Sequence, residues 1–548
     1  MRIVNKVIIV LIFILAGVLF FHSLTSINAD IGRHIKLGEI IWQTGTVPKV
    51  NLLSFTAPDF PFINHHWLSE VVFYKVYSLG IDWRTGLKAV MVLKIIVLLA
   101  TYLLLFLIVK KRNIFSIAFA FMVSIFVLSA RTEVRPEIFS YLFFAIYLFI
   151  IYKVRDNQNS KFKILNSKFQ LSWLWFLPIV QLFWVNMHIY FAIGPMIYFL
   201  FLIDKFVVNK IGRQDLLIGL LVILVNLANP NFIAGALYPL KVLNNYGYSV
   251  AENSSLFFLA KYFGSWAPQD KLFLVSFFVL VGSFVLSFWK NKLTMSNIVR
   301  SNDVRHPNWL KIRTFDLLLI TMTAVLSFKM QRNIPLFALS LWPVMSENLD
   351  SVFEAGYFKK ISKFFYVLAI SVLIISIYLV VSGRFYFWLD SAKMFGLNVS
   401  SSAQVGTDFV KTNNIWGPVF NNFDIGSYLV WQLYPNQKVF VEGRPEAYPV
   451  GFFENIYKPM QRDQKVWQEM SEKYGINYVF FAHTDMTEWG EEFLTRISKD
   501  KEWPMVFLND SAVVFLKNAD LNRPIIDKHK ITEDNVSIKI PQILSGLD

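Results

Sequence analysis

Eleven apolar segments follow one another along the first 382 residues, at approximately 7–27, 87–109, 114–130, 138–152, 171–187, 189–204, 215–228, 271–289, 314–328, 333–346 and 364–382. The first, Val7–Ile27, would measure roughly 31 Å as a helix, enough for about 30 Å of bilayer hydrocarbon. The pattern predicts a chain of about 11 membrane-spanning helices. The alternative for the first segment, a cleaved signal peptide, fits less well, because no small-x-small site ends it convincingly and ten similar segments follow.

Two stretches break the pattern. In residues 28–86, apolar positions recur near helical spacing over Ile31–Thr44, which stops at Gly45, and over His66–Leu79, which stops at Gly80. Both read as amphipathic helices at a membrane interface, a depth that suits Trp42, Trp67 and Trp83. Residues 383–548 hold no further span. Short strands are predicted at Val419–Asn421, Lys438–Glu442, Tyr478–Ala482, Met505–Leu508 and Ala512–Leu516, and helices at Ser427–Leu433 and Asp463–Tyr474. Asn509-Asp510-Ser511 reads as a tight hairpin between the last two strands. The expected fold class is an α-helical polytopic membrane protein: a transmembrane domain over 1–382, with 28–86 as its first outer loop, and a small α/β extracytoplasmic domain over 383–548.

Composition agrees, with 55% hydrophobic and 17% charged residues. The formal charge of +15 would suggest nucleic acid in a soluble protein. Here the excess lies in short loops, among them Lys110–Arg112, Lys153–Lys168, Lys205–Arg213, Lys290–Arg313 and Lys359–Lys363. Such loops face the cytoplasm, which places the N-terminus inside, 28–86 and 383–548 outside, and the protein in the plasma (inner) membrane. With no cysteine, disulfides and thiolate chemistry are excluded.

Under this topology the polar residues that look out of place all face outward. Asp30 follows the first apolar run, with Arg33 and His34 one helical turn on. A carboxylate there can take a proton from an acceptor hydroxyl or hold a cation; the alternative is a charge favoured by the helix dipole. In Asn64-His65-His66-Trp67-Leu68-Ser69-Glu70, adjacent histidines point apart, which argues against a two-histidine metal site. His66 and Glu70 are candidates to contact a polar substrate, set against a plain helix cap. Arg131-Thr132-Glu133-Val134-Arg135-Pro136-Glu137 carries more charge than a hairpin needs; arginine suits bidentate phosphate contacts, and mutual ion pairing is the alternative. His188, in Asn186-Met187-His188, either contacts substrate or joins helices. Arg332, in Lys329-Met330-Gln331-Arg332-Asn333, opposes the local charge trend and argues for a bound anion, against simple snorkelling. Val441–Glu446 is a polar loop after an expected strand. No P-loop, nucleophile elbow, HExxH or dinucleotide fingerprint is present.

An acid just after the first span, interfacial helices in a long first outer loop, many spans and an outer C-terminal domain together resemble the GT-C membrane glycosyltransferases, which include protein O-mannosyltransferases and the lipid A aminoarabinose transferase. The likeness runs through Asp30–His34, Val47-Pro48 to Ser54-Phe55, His66–Glu70, Arg135-Pro136-Glu137, Asn186–His188, Asn229-Pro230 and Arg332-Asn333. It implies an inverting transfer of a sugar from a polyprenyl-phosphate donor to a glycan, lipid or protein acceptor, with Asp30 as general base. Arg135 and Arg332 are candidates for the donor phosphate by charge and side. Many relatives carry two adjacent acids in the first loop, whereas Ile31 follows Asp30. That departure argues against a divalent cation there, unless Glu70 or Glu133 supplies the second carboxylate. The competing readings are a transporter or flippase of a lipid-linked substrate, which would show repeated halves and helices broken at the midplane, and a non-catalytic scaffold.

Overall fold

A computed structural model describes residues 2–24, 30–159, 173–241, 246–299, 309–353, 362–485 and 487–531. The end of the first apolar segment, the start of the fifth, much of two basic loops and the chain's last residues lie outside these ranges. The chain divides into two compact units. One comprises Met1–Ser23, Ala89–Leu240 and Val250–Asn398; the other comprises Leu24–Lys88, Lys241–Ser249 and the segment from Val399 onward.

The first unit is helical. It includes α1 (Arg2–Phe20), most of α4 (Trp83–Val109), α5 (Ile114–Ser129) and α6 (Glu137–Asn159), then helices over Phe176–Met187, Ile193–Val207, Arg213–Leu224, Pro268–Val299, Trp309–Lys329, Ile334–Phe353 and Ser362–Val381. Each expected apolar segment thus falls on a helix. Among the described residues, six helices are long and apolar enough to cross a membrane by length and composition. Their outward faces need an apolar surrounding: on Ser362–Val381, Val367, Ile374 and Ile375 are each more than half exposed. Trp309–Lys329 is less uniformly apolar because it joins a buried ionic network. Arg313 pairs with Asp316 (3.1 Å), and Arg155 bridges Asp316 (3.2 Å) and Asp204 (3.0 Å). Polar bonds also tie helix to helix. The Ser124 hydroxyl donates to the Ala338 carbonyl (2.7 Å), and the Trp342 indole to that of Ile117 (3.1 Å).

The second unit is α/β. It carries α2 (Ile31–Thr44), α3 (Trp67–Tyr77) and a sheet of β1 (Val419–Asn421), β2 (Tyr478–Phe481), β3 (Met505–Leu508) and β4 (Val513–Leu516). The strand order is β1-β2-β4-β3. β1 runs parallel to β2, and β4 runs antiparallel to both β2 and β3. Side chains alternate between two cores. Phe420, Val479, Phe481, Val513 and Phe515 pack with Trp467 and Phe493 on one face. Val419, Tyr478, Phe480, Val514 and Leu516 pack with Tyr428, Leu429 and Val410 on the other. Helices cover both faces, so the strands are apolar throughout.

Two expectations need correction. α1 ends at Phe20, so Asp30 does not directly follow the first helix. Lys438–Glu442 is extended but forms no strand of the sheet. Its backbone groups are satisfied elsewhere. Val439 exchanges bonds with Leu53 and Phe55. The Asn421 carboxamide holds the Phe440 N–H (2.9 Å) and the Val441 carbonyl (2.7 Å), and the Glu442 N–H reaches the Tyr448 hydroxyl (3.1 Å). A segment whose hydrogen bonds are met by side chains has no need of a ladder.

Candidate functional site

In the second unit the candidate chemistry gathers where α2, α3 and the Phe423–Leu433 helix meet. Asp30 stands at the N-terminus of α2, but its side chain makes no capping bond. Instead the Ser427 hydroxyl donates to its Oδ1 (3.1 Å), and an Arg33 guanidinium nitrogen lies 3.6 Å away. The Asp30 side chain keeps 28% of its exposure. The backbone passes very close here. A Cβ on Gly443 would stand 2.6 Å from Asp30 Oδ1, so a larger residue there would displace the carboxylate from this position.

Behind Asp30 lies a buried polar chain. His34 Nδ1 donates to Glu70 Oε1 (2.9 Å), and the Asn64 amide donates to Glu70 Oε2 (2.6 Å). His66 packs edge-on against His34 at 5.5 Å between ring centres. Arg33 Nε approaches Glu442 Oε2 (3.4 Å), and Arg444 Nε donates to Glu442 Oε1 (2.7 Å). Burial pushes the Glu70 carboxyl up to about 7, against the pull of Arg33, the Asn64 hydrogen bond and Arg444. The structure thus brings Asp30, His34, His66 and Glu70 into one neighbourhood. Both Glu70 oxygens are already engaged, which makes it a poor second carboxylate for a cation at Asp30. Among the described residues, no three His, Asp or Glu side chains form a metal-ligand group.

In the first unit the expected arginines converge on an acid that sequence reasoning missed. Arg135 NH1 donates to both Glu252 oxygens (2.8 Å each), and Arg131 NH2 donates to Glu252 Oε2 (3.0 Å). Arg131 also lies 3.3 Å from Glu137. Arg332 donates to the Asn253 side chain (2.8 Å), and its Nε is buried with no hydrogen-bond partner. Burial opposes ionisation of Glu252, but the guanidiniums of Arg131, Arg135 and Arg332 outweigh it and hold the carboxyl well below the usual carboxylate range. Glu252 is the middle residue of the short Ala251–Asn253 turn. Its one sequence signal was an isolated acid in a long outer loop.

Glu133 is not part of that cluster's pairing; it bonds Lys393 at 2.5 Å. His188 accepts the Ser140 hydroxyl (2.9 Å) and the Tyr190 N–H (3.3 Å) at Nδ1. The Tyr190 hydroxyl in turn donates to the Arg332 carbonyl (3.0 Å), so the His188 turn buttresses the Arg332 backbone. Asn186 ties two segments together through the Leu182 and Ala228 carbonyls. Glu252 and Ser427 are the site residues the sequence did not single out; Arg131 and Glu442 lie within segments that it did.

No protein-family model matches this sequence, and no curated protein matches it. Solved structures do. An archaeal oligosaccharyltransferase, AglB of Archaeoglobus fulgidus in complex with an inhibitory peptide and a dolichol-phosphate, superposes with a TM-score of 0.60 at 9% identity, over 94% of this chain and 74% of that one. The Archaeoglobus fulgidus oligosaccharyltransferase tethered to an acceptor peptide gives 0.58 at 11% identity, over the same shares. ArnT from Cupriavidus metallidurans bound to undecaprenyl phosphate aligns over 95% of this chain and 98% of its own, at 11% identity and a looser TM-score of 0.49. Over most of its length the chain accordingly shares the fold of the Archaeoglobus fulgidus oligosaccharyltransferase.

Proposed function

We propose that this chain is an integral-membrane glycosyltransferase that moves a sugar from a polyprenyl-phosphate donor to an extracytoplasmic acceptor. The observation that carries this reading is Asp30: an ionisable group at a helix N-terminus, not spent on capping, held by Ser427 and partly open to solvent. As the acceptor oxygen bonds to the anomeric carbon, the Asp30 carboxylate takes the hydroxyl proton. The bond from that carbon to the donor phosphate breaks, its electron pair leaves with the polyprenyl phosphate, and the configuration inverts. His34 and Glu70, both buried, brace the end of α2, and His66, partly exposed, contributes to the substrate surface. Arg135 and Arg332, joined by Arg131, form a phosphate-sized cationic cluster. Glu133 and His188 support the loops that carry it. AglB in complex with dolichol-phosphate, a lipid phosphate, favours the same donor class here.

In this reading the chain has about 11 spans, a cytoplasmic N-terminus and an extracytoplasmic α/β domain in the plasma membrane, as the loop charges favour. The test uses the full chain in lipid nanodiscs with polyprenyl-phosphate hexoses and pentoses and a cell-envelope extract as acceptor. Release of polyprenyl phosphate with sugar appearing in the extract, both lost in Asp30→Asn, is expected. Equal release by parent and Asp30→Asn would overturn the assignment.

A further inference from the structure

A pocket of about 300 Å³ lies in the second unit between α2, α3 and the Phe423–Leu433 helix, and the transfer chemistry leaves it unused. Its walls are aromatic: Trp431, Trp83, Tyr77 and Tyr74. Trp431 meets Tyr77 at 5.9 Å and Trp83 at 6.3 Å between ring centres, both edge-to-face.

The polar lining is equally specific. Lys36 and Glu39 pair at 2.6 Å, so the pocket carries both signs and no net charge from them. The Gln432 carboxamide oxygen accepts from Lys411 (2.9 Å) and Gln404 (3.3 Å), which turns its N–H donors the other way. A phosphate would find one cation already paired. A purely apolar ligand would strand a carboxylate and an amide. A sugar ring matches the set, because its C–H face, slightly positive, packs on the negative faces of aromatic rings. Its hydroxyls can both donate to Glu39 and accept from Gln432 and Lys36. The volume is at the small end for ligand pockets, which suits one ring or two.

The pocket is built on the elements that hold Asp30. Ser427 and Trp431 are one turn apart on one helix, about 6 Å along its axis. A Cβ on Gly32 would lie 2.9 Å from Trp431 Cβ, so α2 can pack this closely only with glycine there. We propose that this pocket binds a sugar ring of the acceptor, which makes the acceptor a carbohydrate. The acceptor role rests on the transferase reading; sugar binding by the pocket does not.

Saturation-transfer NMR on the full chain in nanodiscs, free of glycosidic detergent, tests it with methyl glucoside, methyl mannoside, methyl galactoside and N-acetylglucosamine. Transfer to the ring protons of at least one probe is expected. It should fall at least fivefold in Tyr74→Ala and in Glu39→Ala, whose side chains are partly exposed, and persist in Asp30→Asn. Trp431→Ala is a poorer choice because it opens the packing against Gly32. Absence of transfer with all four probes, or transfer unchanged in both pocket variants, overturns the proposal. Probe binding with no sugar transfer by the parent protein would instead sink the transferase reading and leave the pocket standing.

Discussion

One nitrogen of Arg135 lies 2.8 Å from both oxygens of Glu252. The carboxylate thus occupies the geometry in which a guanidinium would meet a phosphate, with Arg131 at 3.0 Å on the same side. An internal acid that already offsets part of the cluster's charge competes with any incoming anion.

Replacing that acid should therefore strengthen anion binding. Glu252→Gln keeps the shape and removes the charge, and polyprenyl phosphate should bind on the order of tenfold more tightly, about 1.4 kcal/mol. Titration of parent and variant in nanodiscs at one fixed salt concentration measures this. Weaker binding in the variant would mean that Glu252 organises the arginines for the ligand.

Removing the cations should act oppositely. Arg332→Ala deletes a buried guanidinium whose Nε is unpartnered, and Arg135→Ala deletes the main partner of Glu252. Each should lower lipid-phosphate affinity roughly 10-fold or more, since hydrogen bonds to charged groups contribute about 1.5–3 kcal/mol. Binding and thermal unfolding should be followed on the same samples. Undiminished affinity in both variants removes the phosphate role.

Asp30→Asn should cut turnover about 10²–10⁴-fold, the contribution typical of a general base, while donor affinity is largely kept. Because the Asp30 side chain caps nothing and Asn can still accept from Ser427, the melting temperature should barely move. Near-parental turnover by a folded variant would retire the catalytic role.

Glu70 gives the second unit a pH signature. Its carboxyl titrates near 7 when folded, above its ordinary value of 4.5. The folded state therefore holds a proton between those values that the unfolded chain has released. Stability contributed by this group is lost as pH rises from about 4.5 to 7 and levels off above, at up to roughly 1.4 kcal/mol per pH unit. Denaturant unfolding of parent and Glu70→Gln across pH 4–8 should show a steeper slope in the parent, because Asp424, likewise raised to about 7, titrates in both. Parallel curves would contradict the buried, proton-binding Glu70.

Topology is testable directly. The excess of Lys and Arg in alternate loops predicts that a tag placed after Asp548 is reached only from outside intact cells. Labelling from the cytoplasmic side would put the α/β unit on the wrong face for a lipid-linked donor.

Local pattern determined much of this protein. Long apolar runs dictate helices because backbone groups in lipid must bond within their own segment, and among the described residues each of the eleven segments carries one. Alternation and turn chemistry likewise placed β1, β2 and the β3–β4 hairpin at Asn509–Ser511. The charge of Asp30 beyond the first apolar run and the against-trend charge of Arg332 were legible for the same reason: each breaks a rule that applies residue by residue. Contacts between residues far apart in the chain were not legible. Nothing local to Lys438–Glu442 says that Asn421 and Tyr448 will satisfy its backbone and keep it out of the sheet. Nothing near Arg135 announces Glu252, which is 117 positions away. Ser427 is 397 positions from Asp30, and their hydrogen bond depends on α2 packing against the Phe423–Leu433 helix, where a Cβ on Gly32 would stand 2.9 Å from Trp431 Cβ. The sequence determined which groups carry charge and where helices run. The tertiary structure decided which of those groups meet, because close packing selects partners by shape and not by position along the chain.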